Sequence, residues 1–341
     1  MDSEQIGAES IRNEHLRLDF RRMVSMQNRQ LHTEALCKIQ RLIFCQDQLK
    51  THRSYIQRKQ ADQKHMANSH RIGKYEITTV IDTLPPPRDP GLVFESVPAK
   101  AWDPYRSFAL DADGMWVTEF KSHLIQPTYP GGPIILVDSG SGPTDDDQGK
   151  LLQNLNKLGV KADDVDVVVT THCHGDHIGW NVDYDGEKPE LTFSNATYWI
   201  AKKDWEYHTA PGNSDPAFDR SVRPLETLGA LKLVDGIETI ADGISTLPMN
   251  GHTPGHQNVL VESEGETGVI IGDLFHNVAQ VTEQSWCPVF DWNTEMSTER
   301  RRNLLSRAVT EQWIVFAGHL PSSSSIGRVI HSDGRASWEP V

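Results

Sequence analysis

The chain has 341 residues, with 33 Lys and Arg against 47 Asp and Glu and a formal charge of −14. That balance argues against a nucleic-acid binder, whose phosphate contacts need clustered basic side chains. Four cysteines at irregular spacing make neither a disulfide scaffold nor a cysteine zinc knuckle. No run approaches ~18 apolar residues and the first residues lack a signal's apolar stretch, so a cytoplasmic protein without a membrane segment is expected.

Residues 1–65 differ in character from the rest of the chain. They hold 12 Lys and Arg, 8 Asp and Glu, one glycine and no proline, which leaves 21 basic residues, 39 acidic residues, 24 glycines and 19 prolines to residues 66–341. Leu16, Phe20, Met23 and Met26, then Leu31, Leu36, Ile39, Leu42, Ile43 and Leu49, recur at helical spacing. Residues 1–70 are therefore read as a helical or partly disordered N-terminal extension, either solvated or serving as a docking or dimerising hairpin. Residues 71–341 are read as the globular domain.

From Lys74 the pattern turns to strands and loops. Tyr75–Ile81, Met115–Leu124 and Ile134–Val137 read as strands, and Thr144–Leu158 as a helix with Leu151, Leu152, Leu155 and Leu158 on one face. Asp166–Thr170 is a buried-type strand, and Thr197–Tyr207 leads into a helix. Short strands are expected at Leu231–Val234, Ile237–Ile240, Ile244–Pro248, Gln257–Glu262 and Gly268–Gly272. After them come an amphipathic helix at Thr298–Thr310 and a strand at Trp313–Ala317. Strands with helices between some of them suggest an α/β protein built in layers of sheet and helix.

The histidines carry the chemistry. Thr171-His172-Cys173-His174-Gly175-Asp176-His177 comes directly after the DVVVT strand. Three imidazoles and a carboxylate in six residues compete for protons unless a divalent cation takes them as ligands. Three later segments each run from an apolar strand through a glycine to a ligand-type residue: Gly251-His252, Gly272-Asp273 and Gly318-His319. Glycine lets the backbone approach closely and re-aim the next side chain. The set offers seven ligands, five His and two Asp.

With THCHGDH at 171–177, GHTPGH at 251–256, GD at 272–273 and GH at 318–319 in order, the sequence resembles the metallo-β-lactamase superfamily over about residues 74–341. HIGW at 177–180, NATYWIAKKDWEY at 195–207, GDLFHN at 272–277 and GHLPSSSSIGRV at 318–329 are similar to its methyl-parathion-hydrolase and N-acyl-homoserine-lactonase branch. The resemblance implies an αββα sandwich with the metals at one edge. It implies that His172, His174 and His252 hold one metal and that Asp176, His177 and His319 hold a second, with Asp273 bridging. The expected ions are two Zn2+, with Mn, Fe or Co tolerated. The implied reaction is attack of a bridging hydroxide on the carbonyl of a small apolar ester or lactone, or on a phosphotriester.

Asp176, Asp273 and His276 are the expected catalytic residues, His276 as proton donor or oxyanion partner. Asp138 is the candidate to orient a ligand histidine, His256 supports its loop, and Cys173 packs. Trp116, Trp180, Phe108, Phe275 and Trp286 are pocket or core aromatics. Alternatives on the same site are a hydrolytic dehalogenase or a thioesterase. From another class comes a non-catalytic metal-binding scaffold using the helical arm. The expected partner is a small-molecule substrate, with no nucleic acid and no membrane, and a homodimer is one assembly allowed.

Overall fold

A computed structural model describes residues 67–341 apart from 145, 146 and 333. The helices expected within residues 1–65 lie outside the described residues. β1 (Ala67–Ile72) begins four residues before the expected domain start at 71, because it pairs with β2 (Tyr75–Thr83) across a two-residue turn. Gly73 takes that turn at φ +51°, where a Cβ would strike Ser263.

Two seven-stranded sheets organise the described chain. The first continues from β2 through β3 (Phe120–Pro127), β4 (Ile135–Val137), β5 (Val167–Val169), β8 (Thr197–Ala201) and β9 (Leu231–Val234), and a separate hairpin holds β6 (Val182–Asp185) and β7 (Lys188–Leu191). β4, β5, β8 and β9 pair in parallel. The second sheet runs in chain order from β10 (Thr239–Ala241), β11 (Ile244–Pro248), β12 (Gln257–Ser263) and β13 (Glu266–Ile270) to β14 (Ile314–Phe316), β15 (Ile326–Ser332) and β16 (Arg335–Pro340).

The period-2 alternation of strand side chains separates three apolar layers. Ile77, Ile125, Ile135, Val137 and Val169 of the first sheet meet Val259, Val261, Ile270, Ile314 and Phe316 of the second. On the outer face of the first sheet, Val80, Leu124, Leu136 and Val168 pack against α3 (Leu151–Lys157), α6 (Pro216–Ser221) and α7 (Pro224–Thr227) through Leu151, Leu155, Phe218 and Leu225. On the outer face of the second, Val269, Ile271 and Val315 pack against Leu304, Leu305 and Ala308 of α9 (Thr294–Thr310). The order helix, sheet, sheet, helix is the expected αββα sandwich.

A fourth cluster covers one end. Val93 of α1 (Pro90–Val93), Trp102, Ala109 of α2 (Arg106–Ala109) and Trp116 pack with Trp286 and Phe290. No helix among the described residues is long and apolar enough to cross a membrane.

Several boundaries differ from the sequence expectation for long-range reasons. The helix expected from Thr144 starts at Leu151, because Asp82 on β2 accepts hydrogen bonds from the amides of Lys150 and Leu151 at 2.9 Å and so caps it there. The strand expected from Met115 starts at Phe120, while Trp116 leaves the sheet to bridge Arg88. α9 starts at Thr294 rather than Thr298, since the Asn293 side chain accepts the Met296 amide at 2.9 Å. β1, β6, β7, β15 and β16 are not legible as strands, their sequences being polar or interrupted by glycine.

Candidate metal centre

The ligand-type residues stand just beyond the C-terminal ends of four strands. His172 and His174 follow β5, and Asp176 and His177 ride on the short helix α4 (Gly175–Ile178). His252 follows β11, Asp273 follows β13 and His319 follows β14. Tight glycines aim two of these loops. Gly272 sits at φ +49°, where a Cβ would lie 2.8 Å from Thr171, and Gly251 at φ +145°, where one would lie 2.5 Å from the Ser297 nitrogen.

The seven side chains converge in two groups sharing a carboxylate. His172, His174, His252 and Asp273 offer one set of ligand atoms, and Asp176, His177 and His319 another. His174 Nδ1 lies 3.0 Å from both His172 Nε2 and His252 Nε2, and His177 Nε2 lies 3.3 Å from His319 Nε2. Asp273 spans the groups, with Oδ2 3.2 Å from His252 Nε2 and Oδ1 3.1 and 3.0 Å from His177 and His319 Nε2. Asp176 Oδ2 is 3.5 Å from His319 Nε2.

Hydrogen bonding on the far side of each ring decides what faces inward. His177 Nδ1 donates to Asp138 Oδ2 at 2.8 Å, and His252 Nδ1 to Asp291 Oδ1 at 2.8 Å. His319 Nδ1 donates to the Glu119 carbonyl at 3.0 Å. The Thr171 hydroxyl donates to Asp138 Oδ2 at 2.8 Å and therefore accepts from His172 Nδ1 at 3.1 Å. Four Nε2 lone pairs are thus left pointing at one another, an arrangement that a bound cation relieves.

Buried Asp273 Oδ1 accepts no hydrogen bond despite its two imidazole neighbours. An orphaned carboxylate oxygen among imidazole lone pairs fits a pair of divalent cations. The electrostatics show how strongly the carboxylates attract positive charge, which protons supply on two of the rings and a cation would supply in their place. Burial opposes charge on His177, yet Asp273, Asp138 and Asp176 raise it well above the usual imidazole range. Burial likewise opposes charge on His252, which Asp273 and Asp291 push up to about 9. Burial and then the His252 charge push His174 down to about 3. The carboxylates draw positive charge into the site.

Around the ligands, Asp138 is buried at φ +62° and also accepts the Thr171 amide at 2.7 Å. His256 donates from Nδ1 to the Met249 carbonyl and accepts the Asp273 amide on Nε2 at 3.0 Å, so it holds the Asp273 loop. Cys173 is buried in the core, which raises its thiol pKa well above the usual range. His276 Nε2 lies 3.0 Å from Asp273 Oδ2, and its ring stacks on His319 at 5.3 Å.

Sequence reasoning misses three carboxylates. Asp204, on α5 (Lys202–Thr209), accepts the Cys173 amide at 3.1 Å, the Gly255 amide at 2.5 Å and the Thr253 hydroxyl at 2.9 Å, tying two ligand loops together. Asp291 orients His252 and lies 3.7 Å from the buried Arg301 guanidinium. Asp82 gathers the 141–151 loop and the Trp180 indole. Only the KKDWEY segment around Asp204 carries a signal, as part of the family likeness.

A cavity of about 560 Å3 opens beside the centre, lined by Asp176, Asp273, His276 and His319 and walled by Trp116, Phe120 and Phe290. Of the five aromatics singled out from sequence, Trp116 alone lines it. Trp180 bonds Asp82, Phe275 packs on Trp338, Trp286 packs on Trp102, and Phe108 is exposed.

The model of the metallo-beta-lactamase superfamily matches residues 122–319, and the chain belongs to that superfamily. It is 23% identical to an N-acyl homoserine lactonase of Bacillus cereus over 199 residues, 58% of this chain and 70% of the relative. It is 28% identical to the N-acyl homoserine lactonase AttM of Azorhizobium caulinodans over 189 residues, 52% and 66% respectively. Among solved structures, hydrolase AbOPH of the beta lactamase superfamily superposes with a TM-score of 0.70 at 24% identity, covering 81% of this chain and 97% of that one. AidC, a dizinc quorum-quenching lactonase, superposes at 0.69 and 22% identity with the same coverage. These likenesses show the fold.

Proposed function

We propose that the chain is a dinuclear metal-dependent hydrolase that breaks the acyl C–O bond of a small ester or lactone, with zinc as the resident ion. The observation that carries this reading is Asp273, whose two oxygens face both ligand groups at the floor of an aromatic-walled cavity. His172, His174 and His252 would hold one ion, Asp176, His177 and His319 the other, and Asp273 would serve both. Two such ions supply Lewis acidity toward the electrophile and lower the pKa of water.

The chain's own residues do the rest. Asp138 and Asp291 hold His177 and His252 with Nε2 inward. Trp116, Phe120 and Phe290 exclude water and pack the organic arm of the substrate. Burial lowers the pKa of His276, which lines the cavity beside Asp273 and would face the substrate. The N-acyl homoserine lactonase names of the relatives support a lactone or ester over other electrophiles.

A turnover panel tests the reading: acyl-homoserine lactones, aryl esters, phosphotriesters and thioesters, with and without chelator. Lactone or ester turnover should dominate, vanish with chelator and return with zinc. Asp273→Ala should lose at least about a thousandfold in kcat/KM while circular dichroism persists. Dominant phosphotriester or thioester turnover overturns the carbonyl assignment, and turnover retained in Asp273→Ala overturns the shared-ligand role.

A further inference from the structure

The cavity carries one cation that the proposed reaction does not use. Arg88 is the one Lys or Arg among its lining residues, and it is exposed, at the solvent end of the wall. Its backbone is clamped. The Arg88 amide donates to the Trp116 carbonyl at 2.9 Å and the Trp116 amide donates back at 2.7 Å. Three prolines, Pro85 to Pro87, precede it and restrict the chain further. Trp116 is buried, its indole N–H donates to the His276 carbonyl at 3.2 Å, and His276 reaches Asp273. This path holds Arg88 at a set offset from the metal ligands.

The guanidinium itself is left uncommitted. Among the described residues it has no ion pair, side-chain hydrogen bond or ring contact, in a domain rich in acids. The adjacent Asp89 turns its Oδ1 to the Gly91 amide at 2.8 Å as the cap of α1. Arg106 pairs with Asp103 at 3.0 Å and Arg223 with Asp219 at 2.7 Å, while exposed Arg302 on α9, also without an ion pair among the described residues, does not line this cavity. An unpaired guanidinium at the rim of an aromatic wall presents a planar donor fork matched to a carboxylate.

We propose that Arg88 is a specificity residue selecting esters or lactones whose organic arm ends in a carboxylate, an inference that rests on the hydrolase reading above. The apolar stretch of the arm packs on Trp116 and Phe290, the carboxylate meets Arg88, and the scissile carbonyl lies over the ligand cluster.

The test compares matched ester pairs, hexanoate-type aryl esters with and without a terminal carboxylate, on the zinc-loaded full chain. The wild type should prefer the carboxylate ester, and added salt should weaken the preference. Arg88→Met should lower the ratio of kcat/KM values about tenfold, the size of one charge-assisted hydrogen bond, and Arg88→Lys should recover part of it. A ratio unchanged in Arg88→Met overturns the proposal. A second readout does not depend on turnover: hexanoate binding followed by tryptophan fluorescence in chelator-treated protein. Weakening of about fivefold or more in Arg88→Met supports the carboxylate site even if no ester is hydrolysed, which would sink the hydrolase reading alone. Equal hexanoate binding by wild type and Arg88→Met overturns the site.

Discussion

Single side chains in this domain are set by burial and by the partners that burial permits. His123 on β3 is buried, its Nε2 has no hydrogen-bond partner, and Phe316 packs against its ring. Burial, and then the charges of Lys121 and His177, push its pKa down to about 3 from 6.5. The unfolded chain therefore binds a proton through this window that the folded chain refuses. Stability rises with pH across it and is lost as pH falls from 6.5 toward about 3, by up to about 1.4 kcal/mol per pH unit. Urea titrations between about pH 4 and 6 should show a shallower pH slope for His123→Leu than for the wild type. Parallel slopes would mean that His123 is protonated inside the fold.

At the scale of elements, ligand loops are short and are held by carboxylates from elsewhere. Asp204 on α5 joins the Cys173 loop to the Thr253–Gly255 loop through three hydrogen bonds. Burial raises its carboxyl pKa against those bonds, so the group works as a tie at some electrostatic cost. Asp204→Ala would strand two buried amides and a hydroxyl, each worth about 1–3 kcal/mol when unsatisfied. The expected loss is about 3 kcal/mol or more in denaturant unfolding, together with weaker zinc binding by competition titration. A variant of wild-type stability with wild-type zinc affinity would show that the loops hold themselves. The displaced helix start at Leu151 is the same physics, since Asp82 supplies a cap that no local residue provides.

For the whole molecule, ligands follow strands of both sheets, so a bound metal pair would stitch the sandwich along one edge. Ions that bind the folded chain alone add stability by mass action, about 4 kcal/mol at a thousandfold excess over Kd. Chelation should lower Tm by on the order of 10 °C, and zinc should restore it. A Tm indifferent to chelator and zinc would separate the centre from the fold's stability.

The candidate ligand set is legible in the sequence, because metal chemistry needs particular atoms at short spacing and HxHxDH after an apolar strand supplies them locally. The layer class is legible too, through apolar runs such as Ile134–Val137. How those ligands are aimed is settled only by packing. Asp291 stands 39 residues from His252, Asp204 stands 31 from Cys173, and Asp82 stands 98 from Trp180. The same holds for the cavity wall, where Phe120, Phe290 and Arg88 meet only because the bridge to Trp116 and the packing of α1 and α2 carry them there. Orientation and specificity are properties of segments brought together by packing two sheets, and local sequence spacing does not encode that approach.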